Sequence, residues 1–389
     1  MLGKLDSVDW HLLNSAYGTA ADVPDRLRRL TSQHADERER ALEDLYDRLF
    51  HQESNLYEAT AYAVPFLLEL LESEDVAGKL AILSFLVGVG DRIHTEIRCK
   101  GLDTIRTYPP WSQRLVEALA AGKPVYLRCL KDDDPAMRDK AGYMLGLFKR
   151  ASLSGSLDGI AAAIWIRLAA ERDERVQSGL LLAFGSLCDI NEINRNRLLS
   201  YLTETNSKSV RLASALALMR LMPEDPDPRA HAILIEAVES PTGYSSPANS
   251  IWSQGLDYLW GGELNGLDDL VVEHLLFLAP KPANVVEEAL AKMAAGQPLE
   301  KALRIARVLL AMAFRERTRE RTTFSSLTIQ QQRVVKLIAA NDCFWIRTGE
   351  DIRTVSLPFL GAYGLPYTAA ELRSFVKEES KISGGYGRK

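Results

Sequence analysis

The chain has 389 residues, 47% hydrophobic and 25% charged, which is enough for a continuous core and is ordinary for a soluble protein. That length fits two or three ordinary domains or one long solenoid. A formal net charge of −5 excludes a surface that is one electrostatic footprint for nucleic acid, and the longest apolar runs, 61–71 and 80–89, fall well short of the ~20 residues of a membrane span.

The start, Met1-Leu2-Gly3-Lys4-Leu5-Asp6, has no long apolar stretch, so no secretory signal is expected. Further along, Val64-Pro65-Phe66-Leu67-Leu68-Glu69-Leu70-Leu71 predicts a helix opened by its proline, where the missing N–H costs little. Its apolar positions recur every three or four residues, so one stripe is buried. The run from Lys123-Pro124 to Leu130 repeats that layout and ends in the acidic turn Asp132-Asp133-Asp134. A second helix is predicted to begin at Pro135, with Asp134 capping its free N–H groups. Arg138, four residues after Asp134, is placed for a surface ion pair or for a turn-to-turn hydrogen bond.

The second helix has relatives. Arg138 leads to Ala141 and Leu145-Gly146; Gln177 leads to Leu180 and Phe184-Gly185; Arg211 leads to Ser214 and Leu218-Met219. Glu37-Arg38, leading to Ala41 and Leu45, is a further copy. With Arg138, Gln177 and Arg211 equivalent, the steps are 39 and 34 residues, the period of stacked helical hairpins. Small residues such as Gly142, Gly146, Gly185 and Ala217 recur inside these helices, and glycine there costs up to about 1 kcal/mol, so tight helix crossings are predicted.

The combination "Val-Pro-x-Leu-x-x-Leu-Leu", an acidic turn and "Val-Arg-x-x-Ala-x-x-x-Leu-Gly" resembles the HEAT repeat, including the short HEAT-like repeats of lyase type. Residues 123–146 carry it best, with weaker copies over about 30–90 and 160–222. The first seventy residues, with Asp9-Trp10, Ala16-Tyr17-Gly18 and Tyr62-Ala63-Val64-Pro65, resemble those of a bacterial group of HEAT-repeat proteins, a likeness that brings no activity with it. The resemblance implies an all-α fold: an α-solenoid of HEAT-like hairpins over 1–320, then a helical C-terminal cap and short tail over 321–389. It also implies the roles such repeats play elsewhere, as assembly scaffolds, adaptors, relatives of bilin lyases and, in one group, alkylpurine DNA glycosylases.

Two insertions are expected to break the period, near 88–111 and 241–268, and the stretch 223–228, rich in proline and aspartate, reads as a turn. The first insertion holds Tyr108 and Trp111, the second Tyr244, Trp252, Tyr258 and Trp260. These six residues are the expected partner-binding set, because loops inserted into one repeat tend to lie on a binding face and tyrosine and tryptophan are favoured anchors. The competing expectation is that the rings fill the core.

Catalytic, cofactor and metal groups are not indicated. His51-Gln52-Glu53-Ser54-Asn55-Leu56-Tyr57-Glu58 has acid–base residue types but reads as a capping loop between helices. Asp91-x-x-His94-x-Glu96 has ligand-type spacing but no second histidine pair, and reads as a solvated loop. No phosphate-binding glycine loop and no nucleophile elbow occurs. Cys99, Cys129, Cys188 and Cys343 form no Cys-x-x-Cys, so free thiols in a reducing cytoplasm are expected. Arg304, Arg307 and Arg315 are candidates for phosphate contact, but interleaved glutamates favour a salt-bridged helix end. The function expected is therefore a cytoplasmic scaffold or adaptor that binds another protein. The alternatives are a HEAT-like DNA-binding module or glycosylase, and a bacterial immunity or regulatory protein.

Overall fold

In the computed structural model the chain is mostly helical, with little sheet. Described are residues 1–51, 55–100, 110–148, 159–189, 191–222, 227–239, 322–345 and 357–377, with scattered positions over 287–314; the side chains of 94–100 are outside the description. Two compact units separate at Met222.

The first unit opens with two small antiparallel pairs and a pair of helices. β1 (Asn14–Ser15) pairs with β2 (Gly18–Thr19), and β3 (Phe50–His51) with β4 (Asn55–Leu56). Between them lie α1 (Val23–Arg29) and α2 (Ala35–Leu49). There follow α3 (Glu58–Glu72), α4 (Lys79–Lys100), α5 (Pro110–Ala121), α6 (Lys123–Cys129) and α7 (Pro135–Gly146). The unit closes with α8 (Ile160–Ala170), α9 (Glu174–Leu187), α10 (Glu192–Glu204) and α11 (Lys208–Leu221).

Turn chemistry sets these boundaries. Asp134 Oδ1 accepts from the Ala136 N–H at 2.8 Å, Asp173 Oδ1 from Arg175 at 2.9 Å and Asn191 Oδ1 from Asn194 at 2.8 Å, so each helix start has a side-chain acceptor. The fourth residue of each of four helices then reaches back into the preceding turn. Arg38 donates to Ser32 O at 2.8 Å, Arg138 to Asp132 O and Asp133 O at 2.9 and 2.7 Å, Gln177 to Glu171 O at 2.7 Å and Arg211 to Leu202 O at 3.3 Å. These are the positions that align in the sequence, and all four hold carbonyls that a tight turn leaves unpaired.

The helices that carry them stack. α2 packs on α4, α4 on α7, α7 on α9 and α9 on α11, while α6, α8 and α10 each pack on the helix that follows them. Where α7 meets α9, a Cβ on Gly146 would lie 3.2 Å from Ala183 Cβ; where α9 meets α11, a Cβ on Gly185 would lie 2.6 Å from Ala217 Cβ and 2.9 Å from its Cα. The helical glycines are therefore retained for close approach of neighbouring backbones.

Two local expectations are corrected. Pro65 does not open its helix; α3 begins at Glu58, seven residues earlier, and Pro65 lies inside it. The start is set by Thr60, whose hydroxyl accepts from the Tyr57 N–H at 3.3 Å and donates to Leu49 O at 2.6 Å. The stretch from Gly88 is not a loop at its outset, because α4 continues through it to Lys100. Gly88 faces the Phe50 ring and Gly90 the Met144 side chain, each about 3.0 Å from where a Cβ would stand, so they mark close packing rather than a break. Residues 101–109 of that stretch, and all of 241–268, lie outside the described residues.

The second unit has α12 (Pro228–Glu239), α13 (Ile329–Ala340) and α14 (Ala369–Lys377) as its continuous described helices. Thr328 and Gln331 cap α13 reciprocally, at 3.3 and 2.9 Å. Trp345 is buried and donates its indole N–H to Ile338 O at 2.8 Å. α14 packs on α13 and is tied to it by Arg373, which donates to Ala339 O at 2.9 Å. The expected boundary at residue 320 falls outside the described residues.

Candidate functional site

Of the six expected partner-binding aromatics, Trp111 alone lies among the described residues; Tyr108, Tyr244, Trp252, Tyr258 and Trp260 do not. Trp111 is half-buried at the start of α5, the helix that packs on α3. Three residues on, Arg114 holds its guanidinium 3.9 Å above the ring of Tyr62 in α3. Arg304, Arg307 and Arg315 also lie outside the described residues.

A second stack of the same kind occurs between α8 and α10. Arg197 lies 4.9 Å above the half-buried Trp165 ring, Tyr201 meets that ring edge-on at 5.8 Å, and the Tyr201 hydroxyl donates to Leu168 O at 3.2 Å. Beside it Ile166 is 71% exposed, and Ile193, one turn before Arg197, is 67% exposed. α8 reads Ile-Ala-Ala-Ala-Ile-Trp-Ile-Arg-Leu-Ala-Ala, apolar on all sides, yet it buries only Ile160, Ile164 and Leu168. Arg197 over the half-buried Trp165, with exposed aliphatic groups on the same two helices, gives α8 and α10 an amphipathic surface. The pair lies outside both expected insertions, and its signal in the sequence is the apolar circumference of α8.

His51 belongs to the short β3–β4 pair rather than to a loop alone. Its Nδ1 lies 3.3 Å from the Tyr17 hydroxyl, and Arg48 stands 5.4 Å over the Tyr17 ring and is paired with Asp22 at 2.6 Å. Tyr17 is 60% exposed, so this contact lies at the solvated surface.

The placement of Asp91 in a solvated loop is corrected: it is buried in α4, where it accepts a hydrogen bond from the hydroxyl of Tyr143 in α7. Burial pushes its carboxyl well above the usual range, against the opposing effects of Tyr143 and Lys140. Asp139, also in α7 and also buried, faces Gly179 of α9. Burial pushes its carboxyl up to about 7, opposed by Lys140 and Arg175 and assisted by the negative charges of Asp173 and Glu171. Glu171 goes the other way. Burial acts to raise it, but Arg138, bound in a fork at 2.7 and 2.9 Å, and the N–H groups of Asp173 and Arg172 hold it down at about 2. The Arg138–Glu171 pair is the turn-to-turn bond that the sequence suggested, and it is buried rather than on the surface.

Among the described residues no three histidine, cysteine or acidic side chains converge as metal ligands, and no helix is long and apolar enough to cross a membrane. Cys129 and Cys188 are buried and Cys343 is half-buried, and none of the three is in a disulfide. No protein-family model and no curated protein matches the chain.

Proposed function

We propose that this protein is a non-catalytic binding scaffold, a HEAT-like α-solenoid that recognises a partner protein on one face of its stacked hairpins. The observation that carries this is the α8–α10 surface, where the Trp165–Arg197 stack sits beside the exposed Ile166 and Ile193. Support for the repeat architecture comes from the recurrent backbone-holding residue at Arg38, Arg138, Gln177 and Arg211 and from the glycine–alanine crossings between successive helices. The aromatic residues of 88–111 and 241–268, namely Tyr108, Trp111, Tyr244, Trp252, Tyr258 and Trp260, extend the proposed binding set. The wide spacing of the four cysteines, with no Cys-x-x-Cys pair, supports a reducing cytoplasmic setting.

The test is affinity capture from the native host with wild type and with Trp165→Ala, Arg197→Ala and Trp252→Ala, each checked by thermal melting. A surface anchor loses the captured partner and leaves the melting temperature nearly unchanged, whereas a buried ring costs about 3–5 kcal/mol of fold stability. Capture that is identical for wild type and all three variants would remove this surface from the proposal.

A further inference from the structure

Asp139 presents an unusual combination of features. It is 8% exposed, in the middle of a helix crossing, and its Oδ1 has no hydrogen-bond partner among the described residues. That oxygen occupies the notch left by Gly179: a Cβ there would stand 2.5 Å from it. Elsewhere along the stack the equivalent close approaches are apolar, Gly142 against Leu180, Gly146 against Ala183 and Gly185 against Ala217.

Its positive neighbours, Lys140 and Arg175, attract its charge but are shared with other carboxylates. On its own helix Lys140 is half-buried and shared with Asp91 of α4. From α9 and the turn before it come Arg175, bound to Asp173 at 3.2 Å, and Glu171, taken up by Arg138. Two negative charges, Glu171 and Asp173, act on Asp139, and Arg175, which also attracts it, is hydrogen-bonded to Asp173. A buried carboxylate whose loss of hydration is not fully offset by its neighbours holds its proton to higher pH.

We propose that the α7–α9 crossing is a proton-operated contact, closed while the Asp139 carboxyl is neutral and loosened when it gives its proton to solvent. The neutral carboxyl fills the Gly179 notch; the ionised one has no donor there for Oδ1 and is driven toward water, separating α7 from α9. The sign follows from linkage. The folded state holds this proton more tightly than the unfolded chain, so the contribution to stability is full below the unfolded value of about 3.9 and is lost as pH rises toward about 7.

The experiment compares the full-length wild type with Asp139→Asn, which keeps the shape and cannot ionise. Thermal melts from pH 5 to 8 are to show a melting temperature that falls with pH in wild type and a variant that lacks this component. Backbone hydrogen exchange over 174–187, corrected for the intrinsic rate, is to rise with pH in wild type alone. Because the variant removes one titrating group, Asp91→Asn serves as the control for the second buried acid. Should Asp139→Asn not fold, carboxyl-carbon NMR of wild type labelled at aspartate decides the matter: a carboxyl in α7 titrating near neutrality supports the proposal, and ionisation of every aspartate by pH 5 overturns it. Parallel melting curves for wild type and variant across pH 5 to 8 also overturn it.

Discussion

At the scale of single residues, the chain uses similar carboxylates for opposite purposes. Glu171 is 1% exposed and receives a two-pronged hydrogen bond from Arg138, so it stays charged in the interior. Removing one member of such a pair strands the other. Glu171→Ala is expected to cost about 3–5 kcal/mol, read as a shift of the urea midpoint. The pH dependence has the opposite sign to that of Asp139. The folded carboxyl sits at about 2, so its contribution is complete above the unfolded value of about 4.3 and disappears as pH falls through about 2. Glu171→Gln should therefore flatten the stability profile between those limits in an acid titration followed by circular dichroism. An unchanged acid limb would show that Arg138 does not hold this charge.

At the scale of elements, the crossings between successive helices set what each position tolerates. Gly146 and Gly185 each face an alanine on the helix stacked against their own, but the approach at Gly185 is closer, with Ala217 Cα 2.9 Å from where a Cβ would stand against 3.3 Å for Ala183 Cα at Gly146. Gly146→Leu should lower stability by about 1–3 kcal/mol, because overpacking forces the neighbouring helix to move. Gly185→Leu should cost more than Gly146→Leu, since the facing backbone is closer and cannot rotate away as a side chain does. Melting temperatures in the order wild type, Gly146→Leu, Gly185→Leu are the expected result, and equal values for the first two would show that the α7–α9 crossing is looser than the Gly146–Ala183 approach implies. The caps belong to this scale too. Asp134→Ala and Asp173→Ala each remove one acceptor from a helix start and should cost about 1 kcal/mol.

At the scale of the whole molecule, 52 acidic residues against 47 basic ones set the electrostatic outlook. Binding of duplex DNA rests on phosphate contacts that salt weakens steeply. No measurable duplex binding is expected at about 0.15 M salt, by fluorescence anisotropy; micromolar affinity there, or release of an alkylated base, would replace the scaffold proposal with the DNA-directed alternative. Circular dichroism should show strand well below the globular average of about a fifth to a quarter of residues, since the described pairs β1–β2 and β3–β4 are two residues long in each strand.

What the sequence determined by itself is the local grammar of the first unit. The turn at Asp132-Asp133-Asp134, the helix start at Pro135 and the equivalence of Arg138, Gln177 and Arg211 depend on groups within nine residues of one another. Such interactions are written in spacing, because backbone geometry brings near neighbours together wherever the helix lies. The same locality explains the error at Pro65. A proline favours a helix start, but Thr60 offered the free N–H groups a partner first, and tertiary packing of Ala59, Ala61 and Ala63 kept the longer helix. Only the tertiary structure decided which faces meet. Asp91 is paired with Tyr143 across 52 residues, Asp139 faces Gly179 across 40, and Arg197 covers Trp165 across 32. Periodicity states that one side of a helix is buried, and nothing in it states the register in which the next hairpin is laid down. That register turned an apparent metal-ligand spacing at Asp91 into a buried hydrogen bond, and it left the apolar outer side of α8 exposed.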